Sequence, residues 1–320
     1  MTTAAPTPTL LARLRPRWTL RAVWANLVCQ VLIIVTGGAV RLTGSGLGCS
    51  TWPACEPGHF TPQLHAATSI HPFIEFGNRT VSGVLIVVGL AVALLAGRDR
   101  ARTPAYRRLA WVPLIGVLVQ AVLGGVTVLV HLSPVVVSSH MLLSMALVAL
   151  STWLLVRTRE GDDAAVATVD GTTRRLVAWL GVAAVVVVAL GVVVTGAGPH
   201  SGDDRVGYRF AVDPFAMARI HSLAVWAFVG LLVAVLLRLR RTGATAPRRA
   251  SWILLAVTAA QALIGYVQLF TGLPIALVDL HMLGAAVLVV ATVRLAGTLR
   301  TRGQVVVAPA PRPAPAAQVA

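Results

Sequence analysis

Eight long apolar stretches limit what this sequence can fold into. About 20 apolar residues are needed for a helix to cross the hydrocarbon core of a membrane. The chain is 57% hydrophobic and 12% charged, which is more apolar surface than a soluble core of 320 residues could enclose. We therefore predict an all-α integral membrane protein with eight transmembrane helices. The stretches are Ala22 to Val40, Phe76 to Ala96, Leu109 to Val130, Val135 to Val156, Leu176 to Thr195, Phe215 to Leu237, Ser251 to Phe270 and Ile275 to Ala296.

The net charge of +16 reflects membrane topology rather than a nucleic-acid partner. All 27 basic residues are arginine. They cluster before the first span, after the second, in the fourth-to-fifth and sixth-to-seventh connections, and after the eighth. Loops rich in arginine stay in the cytoplasm, so both termini are predicted to be cytoplasmic in a multi-pass protein of the bacterial cell membrane.

Both ends of the chain need separate interpretation. The first apolar stretch follows basic residues, as a signal peptide does, but it is long enough to span and lacks an obvious small-residue cleavage site, so we expect it to be retained. Residues 303–320 are mostly proline, alanine and valine with little to pack, and they are predicted to be a disordered cytoplasmic tail.

The sequence contains an internal duplication. QAVLGGVTVLVHLSPVVVSSHML, starting at Gln120, aligns without a gap on QALIGYVQLFTGLPIALVDLHML, starting at Gln261, and this places His140 on His281. A weaker match joins IVTGGA, at the end of the first span, to VVTGAG, at the end of the fifth. We predict two parallel, pseudo-symmetric four-helix bundles, in residues 1–160 and 174–302, with equivalent sites at equal depth.

Histidines near the outer helix ends are the candidate ligands. His140 and His281 lie roughly 10 Å inside their helices at 1.5 Å per residue, and His221 lies at a similar depth in the sixth span. A buried histidine can simply be a hydrogen-bonded residue, but two at one level on different helices suit the two faces of a heme iron. We therefore predict a heme in the C-terminal half, with His221 and His281 as its axial ligands.

The N-terminal half breaks this symmetry. Asn78 occupies the position that corresponds to His221, and Glu75 lies three residues earlier on the same helical face. Glu75 is either an acid or base beside a substrate, or a carboxylate paired with Arg79. Arg79 and Arg219 are candidates for contacts with heme propionates or anchors at the membrane interface.

The three cysteines differ in location. Cys29 lies within the first span, whereas Cys49 and Cys55 lie in the first outer loop, CSTWPAC, on the oxidising side of the membrane. A disulfide between these two is plausible, as a loop staple or as a redox-active pair.

Together these motifs resemble the heme A synthase family, of the CtaA type with an actinobacterial-like asparagine in the second span. The resemblance rests on TGSGLGCSTWPAC, IEFGNRTVSG and the histidines of the fourth, sixth and eighth spans, and it extends to about Arg300. It implies a heme-dependent oxidoreductase that converts the C8 methyl of heme O to a formyl group by successive hydroxylation. The product would be heme A for aa3-type cytochrome oxidase.

The resemblance also implies roles for individual residues. His221 and His281 match the axial ligands of a permanent heme b, His140 matches a histidine of the substrate site, and Glu75 matches a catalytically required carboxylate. The two outer-loop cysteines match the family's cysteine pair. Heme O synthase, a membrane electron acceptor and lipid are the implied partners, and the sequence leaves open whether the chain forms a homo-oligomer.

The departure is Asn78, where many members carry histidine. We expect five-coordinate substrate iron held by His140 alone, with an open face near Glu75. The alternatives are a cytochrome b-like carrier with two permanent hemes, which should show two symmetric ligand pairs, and a duplicated-bundle transporter, which should place its polar residues near the midplane.

Overall fold

The computed structural model describes residues 10–64, 69–203 and 205–303, and most of these residues are helical. The helices are α1 (Leu10–Leu42), α2 (His71–Leu95), α3 (Pro104–Leu109), α4 (Val112–Leu129), α5 (Pro134–Arg159), α6 (Gly171–Ala197), α7 (Pro214–Arg240), α8 (Thr245–Phe270) and α9 (Ile275–Gly297). Within this part of the chain, eight helical segments are long and apolar enough to cross a membrane, with α3 and α4 together forming the third. The predicted eight-span, all-α membrane fold is confirmed.

Most of the helices extend beyond the apolar stretches that predicted them. Helix α6 begins at Gly171, five residues before the apolar stretch, because Asp170 caps it by accepting a hydrogen bond from the Thr173 amide at 2.9 Å. The third span is interrupted between Leu109 and Val112. Pro113, near the start of α4, has no amide hydrogen for a continuous helix, so a new helix starts there.

Two hydrophobic clusters hold the bundle together. One consists of residues of α6 to α9 and Leu299, and it includes Phe228, Leu254 and Leu295. The other joins α1, α2, α3 and α5 and also takes in Ala286 of α9. Helix α9 contacts both α1 and α5, and α5 contacts α6. These contacts join the two predicted halves, whose division between α5 and α6 remains a prediction.

The two duplicated hairpins have the same turn. His131 and Leu132 both have positive φ, at 51° and 59°, and so do Gly272 and Leu273, at 78° and 60°. In each turn the leucine amide donates to the carbonyl five residues earlier at 2.8 Å. The α4–α5 and α8–α9 pairs therefore reverse direction identically, which supports the predicted duplication.

An ionic cluster joins connections on the arginine-rich side. Asp162 accepts hydrogen bonds from Arg102 at 2.8 Å and from the Thr103 amide at 2.9 Å, and it pairs with Arg157 at 3.0 Å. Partial burial acts to raise the pKa of Asp162, but these hydrogen bonds outweigh it and hold the pKa below its ordinary value. Nearby, β1 (Val166–Ala167) pairs antiparallel with β2 (Arg300–Thr301). The predicted tail from residue 304 onward lies outside the described residues.

Candidate functional site

The two duplicated histidines are fixed by the same backbone contact. Gln120 Nε2 donates to the carbonyl oxygen of His140 at 2.9 Å, and Gln261 Nε2 donates to that of His281 at 2.9 Å. Ser144 accepts a further hydrogen bond from Gln120 at 2.5 Å. An amide that bridges two helices fixes how far one can turn against the other. Both imidazoles are therefore presented from equivalent backbone positions.

Each candidate histidine packs against a glycine of the preceding helix. A Cβ atom added to that glycine would lie 3.2 to 3.5 Å from Cε1 of the imidazole. At 3.2 and 3.3 Å the Cβ would be tighter than an ordinary contact and the ring would have to shift, whereas at 3.5 Å it would be in ordinary contact. The pairs are Gly124 with His140, Gly191 with His221, and Gly265 with His281.

His221 of α7 and His281 of α9 face the same cavity from two helices. Their Nδ1 atoms, and that of His140, are buried without a hydrogen-bond partner of normal geometry among the described residues. The Val187 carbonyl nevertheless acts on the His221 ring at a longer or less favourable geometry. Paired imidazoles from two helices, with Nδ1 atoms that lack a hydrogen bond of normal geometry, are the donor set that a six-coordinate heme b requires.

Asn78 lies where the N-terminal half would need its second histidine. Its Oδ1 accepts a hydrogen bond from Thr36 Oγ1 at 2.7 Å. A Cβ atom added to Gly37 would lie 3.9 Å from Asn78 Oδ1. Asn78 thus lies against a glycine of the preceding helix, as the three histidines do. Thr36 thus orients the amide, and its nitrogen has no partner within the described part of the chain. The structure pairs a fixed hydrogen-bonding group, rather than an iron ligand, with His140.

One cavity joins these four positions. It has a volume of about 360 Å³ and is lined by residues of α1, α2 and α4 to α9. Asn78, His140, His221 and His281 all line it, so the structure brings together the predicted ligand positions of both halves. Glu75 is not among the lining residues.

Glu75 lies beside the first outer loop. The side chain is buried, with 5% of the residue exposed. Its carboxylate accepts a hydrogen bond from the Cys49 amide at 2.7 Å and pairs with Arg79 at 2.5 Å. The pairing of Glu75 with Arg79, one of the two interpretations of the sequence, is present. Glu75 lies one helical turn from Asn78, which lines the cavity.

The guanidinium of Arg79 is occupied by the outer loop. It donates to the carbonyl oxygens of Thr51 at 3.1 Å and of Pro53 and Ala54 at 3.2 Å. Arg219 is exposed. The structure therefore directs neither side chain into the cavity, and their predicted contacts with heme propionates remain a prediction.

Arg41 is a cavity residue that the sequence did not single out. It lines the outer part of the cavity. Its side chain crosses from α1 to donate to the carbonyl oxygens of Thr195 at 2.8 Å and His200 at 2.9 Å. Its position at the outer end of the first span was the available signal. A guanidinium at a cavity mouth is suited to a carboxylate.

The predicted disulfide between Cys49 and Cys55 is present. Both cysteines have 0% exposure, and Cys49 is the residue whose amide binds Glu75. A buried disulfide is inaccessible to a thiol partner while the protein stays folded. The structure therefore favours a staple that fixes the loop around Glu75 and Arg79.

Replacing Cys49 and Cys55 together by serine is expected to lower stability by about 2 kcal/mol, the chain-entropy value for so short a loop. The Tm of the purified protein in detergent measures this. Cys29→Ser is the matched control, because Cys29 is a free, half-buried cysteine in α1. An unchanged Tm in the double variant would contradict the staple.

Comparison with known proteins gives the chain a family context. Residues 20–199 match the model of the COX15-CtaA family, described as cytochrome oxidase assembly protein. Among curated relatives, heme A synthase of Geobacillus kaustophilus (strain HTA426) is 29% identical over 158 residues, covering 47% of this chain and 47% of the relative. Heme A synthase of Shewanella oneidensis is 33% identical over 157 residues, 44% of this chain and 45% of the relative.

A third relative carries a different name. Protoheme IX farnesyltransferase of Thermus thermophilus is 38% identical over 86 residues, which cover 26% of this chain and 14% of that protein. The aligned regions thus span less than half the length of each of these relatives.

Proposed function

Because this chain belongs to the COX15-CtaA family of cytochrome oxidase assembly proteins, we propose that it is a heme A synthase that oxidises the C8 methyl of heme O to a formyl group by successive hydroxylation. Two curated relatives carry the name heme A synthase. The observation that supports this function best is the unequal pair of sites in one cavity: His221 with His281 in one half, and Asn78 with His140 in the other.

The two halves have different tasks in this proposal. His221 and His281 hold heme b, which when bound supplies reversible one-electron chemistry. Gln261 fixes the helix that carries His281, and Gly191 and Gly265 leave room for the imidazoles. These residues hold the cofactor in place and do not touch the substrate.

The N-terminal half receives heme O. His140 binds the substrate iron on one face, and Asn78, oriented by Thr36, offers its amide to a small ligand on the other. Arg41 is placed to bind a propionate carboxylate at the cavity mouth. Glu75 accepts or returns a proton during the hydroxylation, once its side chain leaves Arg79 and turns towards the substrate.

The remaining partners follow from this chemistry. Heme O comes from a heme O synthase, and electrons are exchanged with a membrane electron acceptor. Both termini are proposed to lie in the cytoplasm, because the arginine-rich connections define that side. The cavity then opens towards the outer face, where the disulfide-stapled loop lies.

Co-expression with heme O synthase tests the function. Extracted pigments separated by chromatography should contain heme A only when this chain is present, and the purified protein should carry heme b with heme O or heme A. A protein with two stable b-type hemes and no heme A would favour the electron carrier. A colourless protein would exclude both.

Asn78→His is expected to convert the substrate site to bis-histidine ligation, because it supplies the missing imidazole opposite His140. Purified protein loaded with heme O should gain a second low-spin heme signal in electron paramagnetic resonance, and Asn78→Ala should not. Two low-spin six-coordinate hemes in the unaltered protein, unchanged in Asn78→Ala, would contradict five-coordinate binding.

A further inference from the structure

A line of buried polar side chains runs along α1 towards the cavity. Thr19, Asn26 and Gln30 have 6%, 0% and 3% exposure. At 100° per residue they lie within about 40° of one another around the helix, and they extend over about 16 Å of its length. Thr19 is near the arginine-rich end, and Gln30 lines the cavity. The line therefore connects that face of the protein to the substrate side of the cavity.

Helix α5 presents a matching line to α1. Ser151 accepts a hydrogen bond from Asn26 Nδ2 at 2.9 Å. Ser144 lies two turns closer to the cavity, and both serines are within about 40° of His140 around the helix. Ser144 and Ser151 are buried, with 9% and 0% exposure. We call Thr19, Asn26, Gln30, Ser144 and Ser151 the polar file.

Several atoms along the polar file have no hydrogen-bond partner among the described residues. They are Thr19 Oγ1, Asn26 Oδ1 and Gln30 Nε2, with Gln120 Oε1 beside Ser144. Each such buried atom costs about 1–3 kcal/mol if it stays unpaired. In proteins, bound water usually satisfies groups of this kind. Polar side chains inside a membrane span also commonly mark ion and proton routes.

In the C-terminal half, α6 has no polar counterpart of Asn26 or Gln30 of α1. Gly37 contacts Asn78 as Gly191 contacts His221, so positions in α1 and α6 can be matched by counting from these glycines. Asn26 then corresponds to Leu180, and Gln30 to Ala184, which are equally buried at 0% and 6%.

Helix α8 of this half does carry buried polar residues. They include Ser251 and Thr258, whose hydroxyls donate to carbonyls of their own helix. Gln261 Oε1 lacks a partner among the described residues, as Gln120 Oε1 does.

On α9, the residue that corresponds to Ser151 at the repeat spacing of the duplicated hairpins is Thr292. Its hydroxyl donates to the Leu288 carbonyl of its own helix at 2.8 Å. A requirement of packing alone would apply to both halves. The file belongs to the half in which we place the substrate.

We propose that the polar file holds a chain of water molecules that conducts protons between the substrate side of the cavity and the arginine-rich face. This inference rests on the proposed function, which requires protons to move whether the oxygen of the formyl group comes from water or from O2. A methyl group and one water give a formyl group, four protons and four electrons, and two quinones take up the electrons. Alternatively, a methyl group, two O2, four protons and four electrons from two quinols give a formyl group and three waters.

Cysteine accessibility tests the file without any bound heme. In a Cys29→Ser background, single Asn26→Cys and Gln30→Cys variants are exposed to methanethiosulfonate ethylammonium in inside-out membrane vesicles, and modification is followed by intact mass. Leu180→Cys and Ala184→Cys are the matched controls from the other half. We expect the first two to react at least about tenfold faster, because thiol reactivity follows solvent access. Rates no faster than those of the controls would overturn the proposal.

A second measurement separates conduction from packing. Asn26→Leu combined with Gln30→Leu should lower heme A formation about 100-fold while heme b stays bound, as expected for a lost proton-transfer contribution. Thr292→Val, the matched change on α9, should leave heme A formation unchanged. Normal heme A formation in the double variant would overturn the proposed proton route through the polar file. If the unaltered chain makes no heme A, the proposed function fails, and the accessibility rates still decide whether the file is hydrated.

Discussion

Replacing His281 with alanine is expected to release heme b from the purified protein, and His221→Ala should do the same. Both imidazoles line one cavity, and in the proposed function each would supply one ligand to the heme iron. Loss of a metal ligand costs at least the roughly 10- to 100-fold in affinity that loss of a supporting residue costs. Heme b content per protein, measured by the pyridine hemochrome assay, should therefore fall to a small fraction.

Three controls make this result specific. His59→Ala changes an exposed histidine of the outer loop and should leave heme b unaffected. His140→Ala should keep heme b but abolish heme A, because in the proposed function His140 binds the substrate iron. Imidazole added to His281→Gly should restore the low-spin spectrum by filling the space of the lost ring. Full heme b in both His221→Ala and His281→Ala would contradict the assignment.

Replacing Glu75 with glutamine is expected to lower heme A formation about 100-fold or more, the usual contribution of a general acid or base. Glutamine retains a carbonyl oxygen for the Cys49 amide and nearly the same volume, so the loop should stay in place. Pigment extraction after co-expression with heme O synthase measures heme A, and heme b content reports whether the fold is intact.

The comparison of Glu75→Gln with Glu75→Ala separates chemistry from structure. A proton-transfer role predicts that both variants lose heme A and keep heme b. A purely structural role predicts that Glu75→Gln remains active while Glu75→Ala loses both heme A and thermal stability, because Cys49 and Arg79 lose their partner. Heme A at normal levels in Glu75→Gln would therefore refute the proposed acid or base.

The sequence revealed the eight membrane spans through their apolar length and the two equivalent hairpins through their repetition. A span is defined by about 20 apolar residues whatever their order, so all eight could be located. The segments that begin at Gln120 and Gln261 match without a gap, and this predicted two equivalent hairpins. In the structure the two hairpins have the same turn and the same contact between glutamine and histidine. Predicted helix ends were less accurate, because caps such as Asp170 extend a helix into polar sequence.

Contacts between distant segments could not be predicted. The VTG motifs of the first and fifth spans suggested one alignment, but packing instead matches Gly37 with Gly191, five residues away. Local similarity does not report which face of a helix meets its neighbour. The hydrogen bond from the Cys49 amide to Glu75 and the reach of Arg41 to Thr195 depend on how loops fold back over the bundle, and sequence spacing carries no such information.

The cavity shared by the two halves has a thermodynamic consequence. Met141 from one half and Met282 from the other both form its wall, and such flexible side chains adapt to what they touch. If a porphyrin in one half orders this wall, it changes the affinity of the other half for its own porphyrin. Linkage requires the factor to be the same in both directions. The two halves would then load cooperatively, and titrating heme O into protein with and without heme b would measure the coupling.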